Sequence, residues 1–225
     1  MDEDGAGIAA SVYYTRVSST RDRAPLLLIG TTNWGKLREY LDLFAKLPAR
    51  LVTPADIGIE LDVEEGDRSF EENAALKARA FHEASRLLTV AEDSGFVVDA
   101  LGGEPGVRSA RWGDTDDYAI KNRLILERLA GRPPEERRCR YVSSLAVVAP
   151  SGRLYRRTAT CEGFVAQAPR GSGGFGYDPI FHVPRFARTM AELNPDEKNR
   201  ISHRGKAARR ALPLLRRLLP KIEPP

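Results

Sequence analysis

Four consecutive apolar residues, Leu26-Leu27-Leu28-Ile29, run directly into Gly30-Thr31-Thr32-Asn33-Trp34-Gly35-Lys36, after which Leu37, Tyr40, Leu41 and Phe44 repeat at helical spacing. A strand that is apolar on both faces has to be covered on both sides, so this run commits the chain to helices layered over a buried sheet. Further on, Ser69 with Glu72 three residues later is a capping-box signature, and a helix is expected to continue from Ala74 to Leu88. Val90 and Ala91 are read as the end of a second strand, closed by a turn at Glu92-Asp93-Ser94-Gly95. Tyr118 to Leu129 has helical periodicity and stops at Arg132-Pro133-Pro134.

Tyr141–Val148 and Leu154–Val165 flank the turn Pro150-Ser151-Gly152 and are expected to pair antiparallel. Asn194-Pro195-Asp196-Glu197 has the cap, first-turn proline and third-position acid of a helix start. From Lys206 onward, Ala208, Leu212, Leu215 and Leu219 share one face of an amphipathic helix that Pro213 is expected to bend. Helices that alternate first with doubly buried strands and then with a hairpin predict an α/β fold with a mixed sheet.

A length of 225 residues suits one domain, expected over residues 25–225, after a flexible leader over residues 1–24. The longest apolar runs are too short to cross a bilayer, so no membrane partner is expected. Cys139 and Cys161 lack metal spacing and a partner histidine, which predicts no disulfide framework, no structural zinc and a reducing, cytoplasmic setting. The 35 basic residues face 31 acidic ones, so the net charge of +4 suits a small anionic ligand as well as nucleic acid. A nucleic-acid module would show a basic stripe without a carboxylate pocket, and no nucleic-acid partner is expected.

Three segments carry candidate chemistry. A strand, a loop with Gly35 and Lys36, and a helix form the arrangement that cradles phosphate, with Thr31, Thr32 and Asn33 as extra donors. An ordinary strand-to-helix turn capped by Asn33 would look the same. Around Glu92 and Asp93 lie enough carboxylates for a hard cation such as magnesium, which needs one or two of them plus waters. Adjacent strand residues point to opposite faces, so only one of that pair is expected to aim at the site. Glu72 is already explained as a helix cap, which leaves Glu64, with Glu65 close behind, as the second ligand. Lys77, on one helix face with Asn73 and Phe81, is either a solvated lysine or an anion-binding one. In Gly171-Ser172-Gly173-Gly174-Phe175-Gly176-Tyr177-Asp178-Pro179, the glycines permit close approach while Phe175 and Tyr177 offer stacking surfaces for a base.

Together these segments resemble the inosine triphosphate pyrophosphatase family, the non-canonical purine nucleoside-triphosphate pyrophosphatases. The resemblance runs in order through residues 31–36, 69–77, 91–95, Gly102 to Trp112, 173–179 and Ser202-His203-Arg204-Gly205, within residues 26 to 219. It implies a long mixed sheet, two lobes with a nucleotide cleft between them, a homodimer and magnesium as cofactor. It also implies hydrolysis of ITP, dITP and XTP to the monophosphate and pyrophosphate. Thr31, Thr32, Asn33, Trp34, Gly35 and Lys36 would hold the phosphates with help from Lys77. Asp93 would be general base and metal ligand, with Glu64 as the other ligand, and Ser94 would touch substrate. Phe175, Gly176, Tyr177 and Asp178 would line the sugar and base pocket, and Lys198, His203 and Arg204 would read the base. Glu92 departs from the family pattern, which commonly has Asp there. A related architecture, the Maf-like nucleotide pyrophosphatases, would share this chemistry with another base preference. Donors in the pocket would reject adenine, while guanine has to be refused at its 2-amino group.

Overall fold

The computed structural model describes residues 24–220, so the expected leader over residues 1–24 lies, apart from Ala24, outside the described residues. Seven strands form one mixed sheet in the order β2-β1-β3-β4-β5-β6-β7. Strand β1 (Leu26–Ile29) pairs in parallel with β2 (Arg50–Val52) on one side and β3 (Leu88–Val98) on the other. From there every neighbour is antiparallel: β4 (Arg138–Val148), β5 (Leu154–Val165), β6 (Phe181–Val183) and β7 (Arg188–Thr189). Parallel pairing demands crossovers, and helices α1 (Trp34–Phe44) and α2 (Phe70–Ser85) supply them. Helix α3 (Tyr118–Arg128) follows β3, and α4 (Pro195–Ile201) and α5 (His203–Leu218) close the chain.

The apolar periodicity decides which faces the helices cover. Leu37, Tyr40 and Phe44 of α1 and Ala208, Ala211 and Leu215 of α5 pack with Leu27, Ile29, Leu145 and Val147 on one side of the sheet. On the other side, Ala74 and Ala78 of α2 meet Ala91, Ala146 and Val148, while Phe81 packs on Leu28 and Val52. A separate core forms where the antiparallel end of the sheet carries Phe96, Tyr141, Phe181 and Ile125 of α3. The cleft is lined from both of these cores, by Phe81 on one hand and by Phe96, Tyr141 and Tyr177 on the other. Among the described residues, no helix is long and apolar enough to cross a membrane.

Three sequence expectations change. Helix α2 stops at Ser85, where Arg86 takes a left-handed conformation (φ 60°), and Leu88 already opens β3 rather than ending the helix. Strand β2 carries only three residues and gave no periodic signal. The largest correction concerns Glu92-Asp93-Ser94-Gly95, which is no turn. Strand β3 runs through it, with Asp93 opposite Ser144, Ser94 opposite Ser143 and Gly95 opposite Val142. The long ladder to β4 satisfies the backbone along its whole length, and that outweighs the local turn tendency of Asp-Ser-Gly.

Gly95 marks a close approach instead of a bend. A methyl group there would sit 2.3 Å from the Gly106 carbonyl oxygen, 2.6 Å from Ser109 Oγ and 2.7 Å from the Phe70 ring. Two of these neighbours belong to the loop after β3, which packs back over the strand to wall the cleft. Gly95→Ala is expected to destabilise the fold by about 1–3 kcal/mol through overpacking. Urea denaturation of the variant with an unchanged midpoint would show that the loop gives way freely.

Candidate active site

Strand β3 delivers its two acids to opposite faces, as the pleat requires. Asp93 faces α2, where Asn73 Nδ2 donates to Oδ2 (3.1 Å) and Lys77 Nζ lies 3.4 Å from Oδ1. The backbone amide of Ser94 donates to the same Oδ1 (3.0 Å). Lys77 also hydrogen-bonds Glu65 Oε1, so one ammonium stands between two carboxylates. Burial raises the Asp93 pKa above the ordinary aspartate value, against the pull of Lys77 and Lys36. A carboxylate with raised proton affinity that still borders the cleft is suited to accept a proton.

Glu92 faces the other way, only 1% exposed, under α1 and α5. Lys36 Nζ lies 3.3 Å from it, Ser143 Oγ donates to it (2.8 Å), and Arg204 Nη2 donates from 3.3 Å. Arg204 Nε is 3.2 Å from Glu92 Oε1 but too poorly aligned to form a hydrogen bond. The same guanidinium donates to Glu39 Oε2 (2.6 Å) and to Ser94 Oγ (3.1 Å). Lys198 reaches Glu39 Oε1 (2.7 Å) and Asp178 Oδ2 (2.5 Å). Burial opposes the charged form of both glutamates, but the facing cations prevail. Arg204 and Lys36 hold Glu92 far below the usual carboxylate range, and Arg204 and Lys198 hold Glu39 at about 2. Burial and the adjoining Arg204 charge push His203 down to about 3, so its ring is neutral where it stacks on Tyr141 at 4.6 Å.

The glycine-rich segment is anchored by Asp178. Its carboxylate accepts from the Phe175 amide (2.9 Å), from Tyr141 OH (3.1 Å) and from Lys198. Gly174 (φ 70°) has no room for a side chain, because a Cβ would fall 2.1 Å from Asp178 Oδ2. This fold of the loop lays the Phe175 ring under two cations, 4.9 Å from Lys198 Nζ and 5.4 Å from the Arg204 guanidinium carbon. The resulting cleft holds about 220 Å³ and is lined by Lys36, Lys77 and Asp93 together with Phe175, Tyr177 and Lys198.

Comparison with known proteins adds the lineage of this arrangement. The family model described as Ham1 family matches residues 27–214. The chain belongs to the Ham1 family. It is 47% identical over 182 residues to a protein named dITP/XTP pyrophosphatase from Geobacillus kaustophilus, covering 80% of this chain and 89% of that one. A Symbiobacterium thermophilum protein of the same name is 50% identical over 198 residues, with 86% and 96% covered. Among solved structures, the Ham1 protein of Coxiella burnetii superposes with a TM-score of 0.76 at 34% identity, covering 85% of this chain and 98% of its own. A Mycobacterium abscessus structure titled nucleoside-triphosphatase / dITP/XTP pyrophosphatase gives 0.67 at 43% identity, with 84% and 99% covered.

In this Ham1-family chain most residues singled out from sequence converge on the cleft: Thr31, Thr32, Asn33, Lys36, Lys77, Asp93, Ser94, Phe175, Gly176, Tyr177, Asp178, Lys198, His203 and Arg204 all border it. Asn33 also caps α1, accepting from the Lys36 amide at 3.0 Å, so the capping reading and the cleft reading hold together. Three placements differ. Glu64 is exposed and off the cleft, and the glutamate beside Asp93 is Glu65. Its neighbour turns outward because the Lys77 ammonium selects one side chain of an extended pair. Trp34 is 61% exposed and faces a separate groove with Pro54, Ile59 and Leu61. Residues two apart on a helix diverge by roughly 200°, so aiming Lys36 inward turns Trp34 away. Gly35 does not border the cleft either. The Phe175 ring packs onto it, 2.7 Å from where a Cβ would be, so its bareness serves the aromatic loop.

Sequence reasoning missed Glu39, which neutralises Lys198 and Arg204 at once. The signal was present, a carboxylate one helical turn beyond Lys36 and next to the buried Tyr40. Because its folded pKa lies below the unfolded value of 4.5, Glu39 contributes stability that is complete above pH 4.5 and lost as pH falls toward about 2. Urea midpoints of the wild type are expected to fall more steeply across that window than those of Glu39→Gln. Parallel slopes would remove Glu39 from the charge network.

Proposed function

We propose that this protein is a magnesium-dependent pyrophosphatase that hydrolyses ITP, dITP and XTP to the monophosphate and pyrophosphate. The single observation that carries the reading is one cleft lined both by a cation-bridged carboxylate pair, Glu65 and Asp93, and by the Phe175 ring with the Lys198 cation beside it. The names of the relatives point to the same substrates.

The residues present suit a divalent cation, because Glu65 and Asp93 already share a positive charge in the ammonium of Lys77. Magnesium bound by these two carboxylates would screen the triphosphate and polarise its phosphoryl group. Asp93 accepts the proton of the water that attacks the α-phosphorus. Lys36 and Lys77 offset the charge that collects on the departing pyrophosphate, most effectively in a site from which water is excluded. Phe175 stacks on the base, and Lys198 and Arg204 put positive charge behind that ring. Thr31, Thr32 and the first amides of α1 receive the phosphate end. We place the enzyme in the cytoplasm as a homodimer, in keeping with its two unpaired cysteines and its family.

Pyrophosphate release with magnesium is expected for ITP and XTP, with ATP and GTP slower by at least about two orders of magnitude. Equal turnover of ATP would remove the base assignment and leave the phosphate chemistry. Asp93→Asn is expected to lose nearly all turnover while still binding ITP in a fluorescence titration. Glu65→Gln should raise the magnesium concentration needed for half-maximal rate, and Glu64→Gln should not. The reverse order would put the metal on the outer glutamate.

A further inference from the structure

Glu65 reaches the cleft from a stretch with no secondary structure of its own. Between the short helical turn Ala55–Ile57 and the start of α2 at Phe70 there is neither helix nor strand. Among the described residues, no backbone-to-backbone hydrogen bond involves residues 60–68. A carboxylate on such a stretch is placed only as well as side chains hold its backbone.

Asn73 does the holding. It sits on the first turn of α2, is 2% exposed, and is not among the residues that line the cleft. Its Oδ1 accepts from the Gly66 amide (2.9 Å) and its Nδ2 donates to the Gly66 carbonyl (2.9 Å), so the side-chain amide pairs with that residue as a neighbouring strand would. Nδ2 also donates to Asp93 Oδ2 (3.1 Å). One carboxamide therefore ties the residue after Glu65 to the side chain of Asp93. The chemistry of each atom is specified: the Gly66 N–H needs the oxygen, and the carbonyl and carboxylate need the nitrogen.

The other restraints on this stretch are weaker. Arg111 donates to the Glu65 carbonyl (3.3 Å) and, with Arg108, pairs with Asp67, but all three side chains are exposed. Exposed ion pairs contribute little. Lys77 bridges Glu65 and Asp93 through its charge, and a divalent cation bound by the two carboxylates supplies that charge in its place. The Asn73 bonds end on the Gly66 backbone and on Asp93 Oδ2, so they use neither Glu65 carboxylate oxygen.

We propose that Asn73 is a positioning residue for the divalent cation: its carboxamide fixes Glu65 relative to Asp93, so the two carboxylates stand as a pair before the cation arrives. Carboxylates already held in place lose little freedom when an ion binds. A Glu65 on an unpinned stretch would have to be ordered at that moment. The inference deepens the magnesium-dependent reading and rests on it.

The first test uses the metal-free wild-type protein. Gly66 is exposed, so its bond to Asn73 is what slows exchange of its amide hydrogen. Exchange at Gly66 slower than the free-peptide rate by about tenfold or more, read by NMR, is expected. Exchange at the free-peptide rate would overturn the proposal. The second test measures uptake of Mn2+ without nucleotide, from the EPR signal of the free ion. Asn73→Ala, which suits a helix, and Asn73→Leu, which keeps the volume, should each raise the Mn2+ dissociation constant about 10–100-fold. In a Glu65→Ala background the same substitutions should change it by about twofold or less, because no second carboxylate is left to place. A merely structural role would weaken binding equally in both backgrounds. That result, unchanged constants in the single variants, or a wild type that takes up no Mn2+ would overturn the proposal. Wild-type enzyme that hydrolyses ITP equally well in excess EDTA would instead overturn the magnesium reading itself, and this inference with it.

Discussion

The buried guanidinium of Arg204 ties together three parts of the chain that are distant in sequence. It projects from the start of α5 to Glu39 on α1 and to Glu92 and Ser94 on β3. Each of these carboxylates is shared with a lysine of the cleft, Glu92 with Lys36 and Glu39 with Lys198. A buried charge without a partner costs several kcal/mol, so none of these side chains can leave alone. The network therefore fixes where Lys36 and Lys198 stand on the cleft lining. Both lysines are held by carboxylates other than Asp93, which keeps them in place without occupying the Asp93 carboxylate.

Strand β3 makes this division possible. Because alternate residues point to opposite faces, Glu92 and Ser94 belong to the charge network while Asp93 belongs to the pair with Glu65. The longer side chain at Glu92 lies wholly on the network side, where Arg204, Lys36 and Ser143 occupy its oxygens. Gly95 then lets the loop carrying Gly106 and Ser109 close over the strand. That loop carries the Ser109 and Ala110 carbonyls that Tyr177 and Lys121 engage, so one continuous strand organises Asp93, the charge network and the loop that lines the cleft.

The glycine-rich loop follows a similar logic. Its glycines do not make it slack, because Asp178 binds its backbone and Phe175 fills the space left bare by Gly35. The Phe175 ring is positioned by the same carboxylate that holds Lys198, so ring and cation placement are coupled through Asp178.

The sequence by itself determined much of this protein. The run Leu26–Ile29, the helical repeat from Leu37 to Phe44, the hairpin strands and the cap at Asn194 are local signals, and local hydrogen bonding and apolar periodicity suffice to read them. Most of the residues that line the cleft were also legible, because glycine-rich loops, clustered carboxylates and lysines after a strand are local patterns. Only the tertiary structure decided that Asp93-Ser94-Gly95 is strand, because the ladder from β4 comes from residues some fifty positions away. It alone decided that Glu65 and not Glu64 meets Asp93, since that choice depends on where α2 brings Lys77. The part Glu39 plays in the charge network was hidden for the same physical reason. A charged side chain on a helix reads as solvated until the fold shows what covers it.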